Sequence, residues 1–374
     1  MAPATLPGID AHAHARAMLE PALPPAGEPS HAYLLHGPAG TGKRATARAF
    51  AAALLADGAG GPEAVAAVAA RVERGAHPDL TWVTPSGAAE MLVADIEEPV
   101  VAAAARTPFE ASRRVFVIES VETLNDDAGN RLLKTLEEPP RYVHLLLLTE
   151  RLSEVLPTIA SRCLHVRFDP LPADRVAGLL EGVDQERALA CARLALGDAG
   201  LAARLAGGEG QELRAGAQAF VGAALRATTQ TRPWLALVER AQAAAAAEAE
   251  RLLARTEAEL ELLPAKERKR HEKEAGEARR RAERRARTDT YDLGLRLVEL
   301  WLRDLLCVVE GAGELVLATD RRAELAQDAE DLDGARVSEA IELVGDTRLS
   351  LALFVGEELA LEALAYRLQA LFAG

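Results

Sequence analysis

Residues Gly37-Pro38-Ala39-Gly40-Thr41-Gly42-Lys43 fit the pattern G-x-x-x-x-G-K. In that pattern glycines let backbone N–H groups turn inward around phosphate, and the lysine reaches the outer phosphates. Such a loop requires a buried strand before it and a helix after it. Both are legible here. Ala32-Tyr33-Leu34-Leu35 is a short apolar run, and 43–56 is an Ala-rich helix former. Further apolar runs occur at 80–83, 115–118, 143–148 and 164–166, with helical stretches between them. Continuous apolar strands alternating with helices predict an α/β fold whose parallel sheet is covered on both faces.

After Asp169-Pro170-Leu171-Pro172 no strand pattern recurs. Residues 173–207 read as short helices. From about Glu212 the chain reads as long helices, interrupted near Gly311-Ala312-Gly313 and between Asp331 and Gly334. The expected division is therefore 1–169 as an α/β domain, 170–210 as a small helical domain and 211–374 as an all-helical domain. An aromatic content of only 4% in an Ala-rich chain of 374 residues agrees with a largely helical remainder.

The formal net charge of −14 excludes a chain that binds nucleic acid over its whole surface, since phosphate binding needs clustered Lys and Arg. There is no apolar run long enough to span a bilayer, and the first residues lack a basic region followed by an apolar one. The expected compartment is the cytoplasm. Cys163, Cys191 and Cys307 are widely spaced and are read as small buried residues, forming neither a disulfide framework nor a zinc site. His77, His144 and His165 show no metal spacing and are read as structural. One segment stands apart. Residues 266–287 are highly charged and locally basic, with nothing apolar larger than alanine. The favoured reading is a solvated helix with i,i+4 ion pairs; a basic arm near DNA and a disordered linker are the alternatives.

Three more motifs accompany the glycine loop. Leu132-Leu133-Lys134-Thr135-Leu136-Glu137-Glu138-Pro139-Pro140 follows the third strand, and Ser161-Arg162-Cys163 precedes the last one. His77-Pro78-Asp79 precedes the second. Together with His31-Ala32-Tyr33, these make 31–169 resemble the clamp-loader branch of the AAA+ proteins. The resemblance implies a RecA-like AAA+ module, a small helical lid and a helical collar. It also implies a hetero-oligomeric ring with clamp-loader ATPase subunits and a delta subunit, which opens a sliding clamp and places it on primer–template DNA.

Departures from the active pattern sort the chain within that family. Arg44 stands where the Mg²⁺-binding Ser/Thr belongs, and it has donors only. The third strand ends in Glu119-Ser120 where Asp-Glu is expected, so no second carboxylate orients water. In Gly197-Asp198-Ala199-Gly200, Gly200 falls where ATPases carry an arginine, with Arg204 a turn further on. The interval 57–76, which holds a four-cysteine zinc module in many relatives, has no cysteine. Gly37, Gly40, Gly42 and Lys43 are therefore expected to form a degenerate phosphate loop, kept as a helix-initiating turn with or without a bound phosphate. No metal and no cofactor is expected. By the resemblance, Arg162 is the arginine finger supplied to a neighbouring subunit. Leu132–Pro140 is both an apolar helix face and a candidate subunit-contact or clamp-facing helix. Thr149 matches the sensor 1 region and is read as structural. The expected function is a non-catalytic clamp-loader subunit; the alternative is an active clamp-loader ATPase with a divergent loop.

Overall fold

The computed structural model describes residues 6, 9–85, 90–262, 264–352 and 356–373. Part of the amino-terminal reading, at 1–5 and 7–8, lies outside them. By contacts the chain parts into two units. One is Met1–Pro172 with Gly197–Ala199; the other is Ala173–Leu196 with Gly200–Gly374.

The first unit carries strands β1 (Ala32–His36), β2 (Leu80–Val83), β3 (Arg114–Ile118), β4 (Val143–Thr149) and β5 (Leu164–Arg167). Its helices are α1 (Ala13–Leu19), α2 (Lys43–Leu55), α3 (Pro62–Glu73), α4 (Val93–Ile96), α5 (Asp126–Glu137) and α6 (Pro157–Ala160). The sheet order is β2-β3-β4-β1-β5, and all neighbouring pairs are parallel. Alternate residues of the apolar strands divide between two cores, as the period of two requires. Tyr33, Leu35, Val115, Val117, Leu146 and Leu148 meet Phe50 and Leu54 of α2 on one face. Leu34, Phe116, Ile118, Leu145 and Leu147 meet Leu132 and Leu136 of α5 on the other. The interval 57–76 folds largely as α3, with Val68 and Val72 turned into the first core.

His77-Pro78-Asp79 has a structural account. Asp79 is fully buried and its carboxylate accepts from the backbone N–H of Phe109 (2.5 Å), Glu110 (2.9 Å) and Ala111 (2.9 Å). Its own N–H donates to His77 Nδ1 at 3.2 Å. One carboxylate thus fastens the loop that leads into β3.

The second unit is helical: α7 (Ala173–Gly178), α8 (Gln185–Leu194), α9 (Ala199–Ala206), α10 (Gly208–Leu225), α11 (Leu235–Leu262), α12 (Ala265–Val309), α13 (Arg322–Asp328), α14 (Gly334–Ala352) and α15 (Glu357–Ala373). Its core gathers Phe220, Trp234, Leu295, Trp301, Leu302, Leu364 and Leu368. Several of the polar groups there are paired, although Trp234 Nε1 has no hydrogen-bond partner. Arg214 makes a two-pronged bond to Asp320 at 2.6 and 2.9 Å. Fully buried Asp304 accepts from the N–H of Leu317 and Ala318. Cys191 is buried and Arg214 Nη1 approaches its sulfur at 3.5 Å, so it is more than an apolar filler. Helices 11 and 12 form an antiparallel hairpin turned at Pro264. Among the described residues no helix is long and apolar enough to cross a membrane.

Burial favours an ionised-to-neutral shift at Asp79, but its three amide donors outweigh that and hold its pKa below the ordinary value. The unfolded chain then binds the extra proton first, so this stability is present above about pH 4 and is lost below it. Burial lowers the pKa of His12, His36, His77 and His144, which adds a loss of stability as pH falls through about 6.5. Replacing Asp79 by Ala should cost roughly 2–3 kcal/mol at neutral pH, through lost charge-assisted hydrogen bonds. Urea denaturation at pH 7 tests this. An unchanged midpoint would show that the 109–111 loop does not depend on the carboxylate.

Candidate functional site at the carboxyl edge of the sheet

The glycine loop follows the carboxyl end of β1. Gly37, Gly40 and Gly42 have φ of 144°, 65° and 90°. Space as well as angle demands glycine at the first two. A Cβ on Gly37 would lie 2.0 Å from the Phe168 carbonyl oxygen, and one on Gly40 would lie 1.7 Å from Asp198 Oδ1. Gly42 faces open space and is the left-handed N-cap of α2.

Lys43 opens α2 and is buried, 6% exposed. Its ammonium donates to the carbonyls of Gly37 (2.6 Å) and Pro38. Thr41 Oγ1 donates to the same Pro38 carbonyl at 2.9 Å. Burial lowers the Lys43 pKa, and the nearby carboxylates of Glu150, Glu122 and Asp198 oppose that shift. The lysine is thus spent on the loop's own backbone. The segment Gly197–Ala199 closes over it: Ala199 N–H donates to the Gly40 carbonyl at 3.3 Å, and the Asp198 carboxylate lies against Gly40.

Beside the loop, Arg44 Nε meets Glu119 Oε1 at 2.8 Å. Trp82 Nε1 donates to that same oxygen at 2.5 Å. Glu119 follows β3 and its side chain is 14% exposed, against 67% for Arg44. In a working site the hydroxyl at 44 and the acid ending β3 would share one Mg²⁺. Here they hold each other, and the cation is a guanidinium belonging to the chain. Ser120, at φ 53°, turns the backbone away and offers no carboxylate.

Arg162 lies at the other end of the strands. It follows α6 and precedes β5, whose first residue pairs in register with Tyr33. The five residues of β1, about 16 Å of strand, separate that level from the glycine loop. Arg162 Nη2 pairs with Glu137 Oε1 at 2.6 Å, and Nη1 donates to the Thr158 carbonyl at 2.9 Å. Glu137 closes α5, whose Leu132 and Leu136 are buried while Lys134 and Glu138 are exposed. The apolar face of Leu132–Pro140 is thus in the core, and its glutamate serves the arginine.

The remaining sequence candidates have structural partners. Thr149 is buried and its Oγ1 accepts from Arg151 N–H at 3.1 Å. His77 Nε2 lies 3.2 Å from Glu110, His144 is bonded to Arg113 and the Ser30 carbonyl, and His165 to the Ala160 carbonyl. Burial pushes the Cys163 thiol up to about 12. Arg204 pairs with Glu209 in the second unit. Among the described residues no group of His, Cys, Asp or Glu is arranged to hold a metal. Two site residues escape a reading of the sequence. Asp198 lies 158 positions after Gly40, and Trp82 sits on a different strand from the acid it holds. Asp198 had a signal, since it lies in the Gly197–Gly200 segment, but there only Gly200 had a family counterpart.

A glycine loop after the first of five parallel strands in this order, with a helix opening on the loop lysine, is a RecA-like AAA+ module. Residues 14–172 match the family described as DNA polymerase III, delta subunit. The delta-prime subunit of DNA polymerase III from Pseudomonas aeruginosa is 39% identical over 145 residues, 38% of this chain and 44% of the relative. That of Bacillus subtilis is 34% identical over 145 residues, 38% of this chain and 43% of the relative. Over its α/β module the chain is thus similar to the delta-prime subunits of DNA polymerase III, and it spans less than half the length of these relatives. A gamma-subunit-related protein of Thermotoga maritima superposes with a TM-score of 0.43 at 15% identity, covering 90% of this chain and 93% of that one.

A carboxylate against Gly40 opposes any phosphate that enters the loop. Removing it with Asp198→Ala should raise affinity for ATP by about tenfold, the effect of losing roughly one close like-charge contact. Calorimetric titration of both proteins measures this. Equal affinities would show that Asp198 does not guard the loop.

Proposed function

We propose that the chain is a non-catalytic clamp-loader subunit, comparable in role to delta-prime. It assembles with the ATPase subunits and a delta subunit in a cytoplasmic hetero-oligomeric ring, and it supplies Arg162 to a neighbour's nucleotide. The ring loads the sliding clamp on primer–template DNA. In this reading residues 170–210 form a lid and 211–374 a collar.

The Arg44–Glu119 pair carries the non-catalytic half of this reading. Hydrolysis needs a metal between those two positions and a carboxylate to position water. Arg44 brings positive charge and no acceptor, Glu119 is engaged, and Ser120 has no carboxylate. The loop that remains is a degenerate one whose lysine is bonded to carbonyls. The purified chain should therefore show no Mg²⁺-dependent ATP turnover above background. Turnover abolished by Lys43→Ala would favour the alternative of an active ATPase with a divergent loop.

The placement of Arg162 supports the other half. It stands at the amino end of the strands, away from the chain's own loop, so any phosphate it serves belongs to another molecule. Its guanidinium is about one third exposed and is held by one carboxylate, a bond that a neighbour's phosphate would replace. An arginine supplied in trans neutralises charge that develops on the transferred phosphoryl group and contributes roughly 10³–10⁵ in rate in other enzymes.

In rings reconstituted with the ATPase and delta subunits, Arg162→Ala should assemble normally by size exclusion. It should silence the bordering site, lowering clamp- and DNA-stimulated ATPase by that site's share and slowing clamp loading. Arg162→Lys should rescue poorly, because lysine lacks the planar fork. Full activity from an intact Arg162→Ala ring would refute the assignment.

A further inference from the structure

The hairpin of α11 and α12 carries a surface that the clamp-loader reading leaves unused. Helix α12 runs 45 residues, about 68 Å. Only its carboxyl part enters the core, beginning at Thr290 and Tyr291; among the described residues none between 242 and 289 is buried. The outer part, 265–287, holds eleven basic and five acidic residues, so it is locally positive in a chain of net charge −14.

The positive charge is ordered. At 100° per residue, Lys269, Lys273, Arg280 and Arg284 fall within an arc of about 60°, with Arg281 about 60° and Arg285 about 100° beyond its edge. All six are exposed. The half-buried residues Arg279, Ala282 and Ala286 lie on the far side, while Glu283 borders the arc and Arg287, paired with Glu357, falls within it. Intrahelical pairing does not account for the stripe. Arg279 pairs with Glu283 and Arg287 with Glu357, whereas among the described residues none of the six striped bases makes an ion pair. Glu277, exposed at the edge of the arc, is an acidic interruption between Lys273 and Arg280. From Lys269 to Arg284 the stripe extends about 22 Å, in steps of about 6, 10 and 6 Å.

We infer that this stripe is a sequence-independent contact for the phosphate backbone of duplex DNA. The four-residue steps, about 6 Å, are close to two base-pair rises along one strand, roughly 6.8 Å. The competing polyanions lack their usual anchors here. A membrane-surface helix inserts bulky apolar side chains beside its basic face, and 265–287 has none larger than alanine. Protein interfaces are fixed by buried aromatic or branched anchors, and single strands by aromatic stacking; the segment offers neither. Long cationic side chains on one continuous helix, with nothing to read bases, suit phosphate and little else. This inference goes beyond the clamp-loader reading and stands without it.

The test uses the full chain and a fluorescent duplex of about thirty base pairs, followed by anisotropy across a salt series. The variant is Arg280→Gln, Arg281→Gln, Arg284→Gln and Arg285→Gln combined, with helix content checked by circular dichroism. It should bind at least about tenfold more weakly, with a log–log salt slope shallower by about 3. A control with Arg74, Arg106, Arg141 and Arg151 changed to Gln makes the same change in net charge and should bind like wild type. The inference is overturned if wild type does not bind the duplex at low salt. It also falls if the hairpin variant binds as wild type, if both variants lose equally, or if anionic phosphatidylserine vesicles compete the duplex away. None of these outcomes depends on ATPase partners, so the clamp-loader assignment is tested separately.

Discussion

The site rests on the hydrogen-bonded register of β1 between β4 and β5. Because β1 pairs His36 with Thr149 of β4, and β3 pairs Ile118 with Leu147, the carboxyl ends of these strands come level. That alignment delivers the glycine loop, Glu119 and Glu150 to one edge, and it leaves Arg162 at the other. Parallel strands permit this because each returns through a crossover on a face of the sheet. The two buried faces then fix the register, since a one-residue slip would carry Tyr33 away from Phe50 to the opposite core.

The α/β module was legible because its signals are local and strong. Short apolar runs and a helix opening at Lys43 need no tertiary information, and the strands appear within a residue of where the runs place them. The glycine pattern and position 44 were legible for the same reason. What Arg44 does was not. Its partner lies 75 positions away, and a sequence shows that the acid ending β3 is present without showing that it is occupied. Asp198 was hidden more deeply, because its role arises only when the Gly197–Ala199 segment folds back on the loop. In the helical unit, the interruptions near 311–313 and 331–334 were visible, but the continuity of α12 was not. Its outer part has no apolar periodicity for a pattern to detect, while its inner part does.

Charge has different uses in the two parts of the helical unit. Near the core, buried Arg214 and Asp304 and half-buried Asp320 are engaged, and they fasten an interior built largely from alanine and leucine. Small side chains bring helices close, but they leave little shape to specify one arrangement; directional polar bonds supply it. On the outer hairpin the same residue types stand exposed and, along the basic stripe, unpaired. There the helix is held by its neighbour α11 and its own backbone, and the side chains are left available to solvent.

The Arg44–Glu119 contact also constrains the mutational paths open to the chain. A hydroxyl at position 44 would strand Glu119 with only Trp82 as partner, while Ser120 would still lack a carboxylate. A neutral residue at 119 would leave Arg44 beside an empty place, with no gain in metal binding. On the proposed non-catalytic reading, a gain of hydrolysis would require several separated codons to change together, each unrewarded alone. Selection cannot climb that route one step at a time. In that reading Gly37, Gly40 and Lys43 would be kept because they hold the strand–helix junction closed.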